Sequence, residues 1–156
     1  MAEHIPVLLD EVIQFLNPKP GGRFVDVTVG AGGHTRAILE RTAPDGKVLA
    51  IDQDESALSI AKETLQSFGS RVVFVHSNFR AVRTIADQQG FIGCDGVLAD
   101  IGISSMMVDD ASRGFSFMRE GPLDMRMDRE QALTAAEVVN TYSEKEIADI
   151  IYMYGE

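Results

Sequence analysis

The sequence holds a single cysteine, Cys94, so no disulfide can form within the chain and its stability must rest on packing. Set in the turn Gly93-Cys94-Asp95-Gly96, that thiol reads as a small buried filler, and a chain built this way suits a reducing, cytoplasmic compartment. No apolar run approaches the ~18 residues of a membrane span, and nothing near the N-terminus joins a basic stretch to an apolar one. A soluble protein without membrane contact is therefore expected. Positive charge is also short, with 14 lysines and arginines against 24 acidic residues and a formal net charge of −10. Nucleic-acid surfaces rely on clustered cations, so the charge argues against one within this chain. Histidines number 3 and lack ligand spacing, and no metal site is expected.

What is present is an ordinary core composition. With 156 residues, 45% of them hydrophobic, the chain has the length of one domain, 1-156, that can bury a core unaided. Leu8, Val12, Phe15 and Leu16 recur at helical spacing until Asn17-Pro18. Arg23 to Val29 (RFVDVTV) is β-branched and runs into glycines, predicting a strand that enters a tight loop, followed by a helix from Gly33 to Arg41. The alternation repeats with strand Lys47 to Asp52 and a helix from Glu55 to Phe68, N-capped by Asp54, with Leu58, Ala61, Leu65 and Phe68 inward. It repeats again with strand Arg71 to His76 and a helix after Asn78 that stops at Gly90, and a fourth strand spans Gly96 to Ile101. Strands apolar on both faces that alternate with helices predict an α/β fold, a Rossmann-like doubly wound parallel sheet. Right-handed crossovers then bring the C-terminal ends of all four strands to one edge, where such sheets bind ligands.

Each strand end carries polar or glycine residues. The first loop, Asp26-Val-Thr-Val-Gly30-Ala-Gly32-Gly33-His34, lets the backbone approach a nucleotide-type ligand. A dinucleotide fingerprint would need glycine where Thr35 stands, so that pattern is incomplete. Asp26, ahead of the glycines, fits instead an ammonium group met directly or through water. Asp52 lies about twenty residues beyond the glycines, the distance at which a carboxylate accepts from ribose hydroxyls, although it also stands next to a helix start. Phe79 follows the third strand, where an aromatic ring either lies against an adenine or packs at a helix start. Asp100, with Ser104 and Ser105 beyond it, ends the fourth strand beside the first loop if those two strands are neighbours. His34 reads as a hydrogen-bonding member of the loop.

After Ile101 about thirty residues show little periodicity, longer than a passive connection of ~12–15 and so expected to carry function. Arg113, Arg119, Arg126 and Arg129 fall there together with Glu120, Asp124, Asp128 and Glu130, which reads either as a solvated mixed-charge loop or as a substrate-facing one. Two capping boxes, Thr134 with Glu137 and Ser143 with Glu146, predict two further helices, the second carrying an apolar stripe of Ile147, Ile150, Ile151 and Tyr154 that Gly155 closes.

Six strings, His4-Ile-Pro-Val-Leu-Leu, Asp26 to His34, Ala50-Ile-Asp52-Gln-Asp54, Asp100-Ile-Gly-Ile-Ser-Ser, Arg113-Gly-Phe-Ser-Phe and Gly121-Pro-Leu-Asp-Met-Arg-Met-Asp128, together resemble the RsmH (MraW) family. Its members methylate the exocyclic amine of a cytosine in small-subunit ribosomal RNA, using S-adenosylmethionine. The resemblance implies the class I methyltransferase type of sheet, Gly32, Gly33 and His34 as the cofactor loop, Asp52 at the ribose, Phe79 near the adenine and Asp100 beside the methyl-transfer centre. It also implies a cofactor contact at Met107, where the family usually has glutamine; methionine keeps the packing and loses the hydrogen bond.

Family members are roughly twice as long, so the resemblance implies a sheet incomplete on its C-terminal side and an incomplete RNA surface. A cofactor-binding module without catalysis is the competing expectation. A nicotinamide-dependent dehydrogenase is a weaker one, set back by Thr35. An uncovered apolar fourth strand further predicts self-association through an open sheet edge.

Overall fold

The computed structural model describes residues 6–155; His4 and Ile5 of the first family string, and Glu156, lie outside them. The chain, expected as one domain over 1-156, divides into two compact units, Met1–Ile101 and Gly102–Glu156. No helix among the described residues is long and apolar enough to cross a membrane.

In the first unit, helix α1 (Leu9–Leu16) precedes strand β1 (Arg23–Asp26), helix α2 (Gly33–Arg41), strand β2 (Lys47–Asp52), helix α3 (Glu55–Thr64), strand β3 (Val72–His76), helix α4 (Val82–Gln88) and strand β4 (Gly96–Leu98). The strands are all parallel and lie in the order β3-β2-β1-β4. Side chains alternate along a strand, so neighbouring residues feed opposite faces. Phe24, Val48 and Ala50 join Ile13, Ile38, Leu39, Leu58 and Leu65 in one buried cluster, whereas Val25, Leu49 and Ile51 join Ile85, Ala86 and Phe91 in the other. Residues Val48 through Ile51 are fully buried, which is why β2 reads as a continuous apolar run. The order reverses between β1 and β4, and this is the switch point of a doubly wound sheet.

Boundaries differ from the periodicity in several elements. The helix expected through Phe68 ends at Thr64 and passes into a 3-10 stretch, Gln66–Arg71, broken where Gly69 takes φ +54°. The helix after Asn78 begins as a 3-10 turn, Phe79–Ala81, before α4, and Gly90 ends it at φ +71°. The first and fourth strands, read as far as Val29 and Ile101, stop pairing at Asp26 and Leu98 because β1 turns away there. Val27 N–H still donates to the Leu98 carbonyl at 3.0 Å, but Val29 N–H donates to the Ile51 carbonyl on β2, also at 3.0 Å. The two strands therefore part at their C-terminal ends.

The second unit holds α5 (Ser105–Asp109), α6 (Ala135–Thr141) and α7 (Glu144–Tyr154). Its long connection is irregular but pinned. The buried Arg113 guanidinium donates to the carbonyls of Arg126 at 3.0 Å and Met127 at 2.9 Å, and the Arg113 carbonyl accepts from Met125 N–H at 3.0 Å. Gly114 (φ +74°) sits where a Cβ would strike the Pro122 carbonyl oxygen. The RGFSF and GPLDMRMD strings are thus two halves of one folded loop. Of the two expected capping boxes, Ser143 and Glu146 close theirs reciprocally, while Thr134 supplies only its own half to Glu137 N–H. The α7 stripe faces outward, with Ile150, Ile151 and Tyr154 exposed.

Candidate functional site

β1 delivers Asp26 to the end of the sheet interior, where its carboxylate is 1% exposed. One oxygen accepts from Thr28 N–H at 3.1 Å, the turn that an aspartate makes with the residue two positions on. The other accepts from the Thr35 hydroxyl at 2.7 Å. Burial pushes the carboxyl up to about 6, against the pull of the two donors and of nearby His34. Asp26, placed by the sequence against a ligand ammonium, is therefore enclosed beneath the loop rather than on its surface. Thr35, which breaks the dinucleotide fingerprint, is the residue that closes it in.

Asp52 is half-buried and sits across the first loop from Gly30. Its Oδ2 accepts from Gly30 N–H at 2.8 Å and its Oδ1 from Asp54 N–H at 2.9 Å. Each carboxylate oxygen has a second lone pair, so two acceptor positions remain for a ligand's hydroxyls. Asp54 in turn caps α3 by accepting from Ser56 N–H at 2.9 Å, so the adjacent helix start leaves Asp52 with its own task.

The three glycines of the loop have different reasons to be glycine. A Cβ on Gly32 (φ +91°) would lie 3.1 Å from Leu65 Cδ1, and one on Gly33 would overlap the Pro6 ring. Both are packing positions. A Cβ on Gly30 (φ +53°) would meet nothing nearer than the Thr28 carbonyl at 3.9 Å, so that side of the loop is open.

The remaining predicted residues are placed less uniformly. Asp100 lies just past β4, exposed, with its N–H donated to Thr28 Oγ1 at 2.8 Å, which joins it to the first loop as the strand order requires. His34 is buried, and its hydrogen bond goes not within the loop but to the Val7 carbonyl, at 3.0 Å from Nε2. Phe79 is partly buried and packs, with Val73 and Val82, against the cluster of Val25, Leu49 and Ile51. Met107 is buried in α5 and belongs to the second unit. Asp26, Gly30, Asp52 and Asp100 thus come together, and His34 serves the N-terminal segment.

Sequence reasoning missed Thr28, whose hydroxyl oxygen accepts from Asp100 N–H, Thr35, whose hydroxyl holds Asp26, and Gln53, whose side-chain oxygen accepts from Asn78 Nδ2 at 2.7 Å and links the ends of β2 and β3. The spacing Asp-x-Thr after a strand was the available signal for Thr28. The arginine-rich stretch resolves largely into internal pairing. Arg126 grips Asp124 through two nitrogens at 2.9 and 2.7 Å, holding that carboxyl far below the usual range, and Arg119 meets Asp109.

The sequence model of the MraW methylase family matches residues 1–156. The ribosomal RNA small subunit methyltransferase H of Symbiobacterium thermophilum is 52% identical over 153 residues, covering 98% of this chain and 48% of that protein. Its counterpart in a Cyanothece species is 54% identical over 154 residues, covering 98% of this chain and 50% of that protein. The chain spans about half the length of the curated relatives it matches. A solved SAM-dependent O-methyltransferase from Thermotoga maritima aligns over 51% of this chain and 32% of that chain, with 24% identity and a TM-score of 0.45.

Proposed function

The chain belongs to the MraW methylase family, and on that premise we propose that it binds S-adenosylmethionine at the β1–β2–β4 edge and serves methylation of a cytosine exocyclic amine in small-subunit ribosomal RNA. The observation that carries this reading is the coupling of Asp52 to Gly30, which leaves a carboxylate with two free acceptor positions beside an open loop face. Such a pair suits a ribose and the chain that continues from it. Phe79, at the end of the third strand, is assigned to the adenine. Gly32 and Gly33 shape the loop, while Asp26 braces it from beneath and lends negative charge towards the methionyl ammonium.

Bound there, S-adenosylmethionine supplies an activated methyl group on a positively charged sulfur. Asp100 does the work on the acceptor side. The exocyclic nitrogen of cytosine is a weak nucleophile because its lone pair is drawn into the ring, so it must be held on line and relieved of a proton. An exposed carboxylate at the end of β4 accepts hydrogen bonds from that amine, orients it, and takes up the proton as the nitrogen gains the methyl group. We place this chemistry in the cytoplasm, and propose further that the outer edge of β4 pairs with a second copy of the chain.

Calorimetric titration with S-adenosylmethionine tests the site: the chain should bind and Asp52→Ala should bind at least tenfold more weakly, and equal binding by both would remove the ribose assignment. Incubation of this chain with radiolabelled cofactor and 30S subunits tests the reaction, with label expected in the RNA. Cofactor binding without transfer would assign the chain a binding role alone.

A further inference from the structure

Asp100 is the residue on which the proposed transfer turns, yet it stands beyond the last paired residue of β4, where the sheet no longer holds it. Its position depends on Thr28. Continuing the β1–β4 register two residues past Asp26 and Leu98 brings Thr28 opposite Asp100, and Asp100 N–H does meet Thr28. It meets the side-chain oxygen, at 2.8 Å, rather than a main-chain carbonyl. Thr28 is itself fixed from behind, since its N–H donates to Oδ1 of Asp26 at 3.1 Å, and Asp26 is held in turn by the Thr35 hydroxyl at 2.7 Å. A continuous series of hydrogen bonds therefore runs from the buried start of α2, through the carboxylate under the glycine loop, to the backbone of the exposed aspartate.

We propose that Thr28 is a positioning residue: its hydroxyl replaces the lost sheet pairing and sets the backbone of Asp100, so that the carboxylate is aimed at the amine of the bound cytosine. This inference rests on the methyltransferase reading above and adds to it the residue that orients the acceptor side. A doubly wound sheet takes its ligands where two strands part in this way, and the parting would also free the end of β4 to drift. A side-chain acceptor at position 28 spans the gap that a main-chain carbonyl no longer reaches. A displacement of the order of an ångström in a catalytic group costs roughly a hundredfold in rate. Because Thr28 acts on Asp100 and not on the ribose or the glycine loop face, its effect falls on turnover rather than on cofactor affinity.

The test compares Thr28→Val, which keeps the shape and removes the acceptor, with Thr28→Ser, which keeps the hydroxyl. Methyl transfer to 30S subunits is measured as kcat and as KM for S-adenosylmethionine, and the temperature coefficient of the Asp100 amide proton is followed by NMR. Thr28→Val should lower kcat by roughly ten- to a hundredfold with KM for the cofactor changed less than twofold. Thr28→Ser should recover most of the rate. The Asp100 amide should show a solvent-exposed coefficient in Thr28→Val and a hydrogen-bonded one in wild type and Thr28→Ser. Unchanged turnover in the valine variant, or a serine variant as slow as the valine one, overturns the proposal. If the wild-type chain transfers no methyl group, the functional reading fails separately, and the amide coefficient alone decides: a hydrogen-bonded Asp100 in Thr28→Val refutes the role of Thr28.

Discussion

At the scale of single residues, Asp26 couples the stability of the fold to pH. Its carboxyl titrates near 3.8 when exposed and is pushed up to about 6 in the folded chain, chiefly by burial. Between those two values this carboxyl holds more protons in the folded state than in the unfolded one, so its own contribution to stability falls as pH rises from about 4 to about 6 and is constant on either side. Asp26→Asn removes this contribution. The difference in unfolding free energy between wild type and variant, followed by urea denaturation across that window, should therefore shift by roughly 3 kcal/mol against the wild type as pH rises. A constant difference would mean that the carboxyl titrates normally. Asp26 was legible in the sequence as an acidic residue before glycines, but its enclosure was not. Thr35 drew notice only as a missing glycine, because a hydrogen bond to a residue nine positions back leaves no mark on periodicity.

Among the elements, strands and helices were legible because each obeys a simple period. The burial of both faces of β2 shows as an unbroken apolar run, and α2 and β2 fall at the boundaries read from the sequence. Strand ends were not legible, since Val29 is as good a strand residue as Val27 and only its tertiary partner tells them apart. The glycine loop shows the same limit, because three like residues hide two causes. Ala at position 30 or 32 carries the cost of a left-handed backbone, about 1–2 kcal/mol. Position 32 adds a clash with Leu65, which is 1% exposed and has no room to retreat, for a further 1–3 kcal/mol. Gly32→Ala should therefore lower the urea midpoint clearly more than Gly30→Ala. The order reverses for ligand: Gly30→Ala puts its methyl on the open loop face and should weaken S-adenosylmethionine binding in calorimetry while the fold persists. Undiminished binding by that variant would move the cofactor away from this face.

For the molecule as a whole, charge and sheet architecture pull in opposite directions. A net charge of −10 makes copies repel one another, while β4 offers an outer edge with no strand paired to it among the described residues, carrying Val97 at 54% exposure. Unpaired edges template association with another chain. Screening by salt weakens the repulsion without weakening main-chain pairing, so sedimentation should show self-association that grows from low salt to ~0.5 M, where the Debye length is only a few ångströms. Val97→Lys separates the two effects. It makes the chain less negative, so a purely electrostatic balance predicts more association, whereas a lysine on the edge strand obstructs pairing and predicts less. We expect the lysine variant to stay monomeric at salt concentrations where wild type associates; association equal to or stronger than wild type would place the contact elsewhere than the β4 edge.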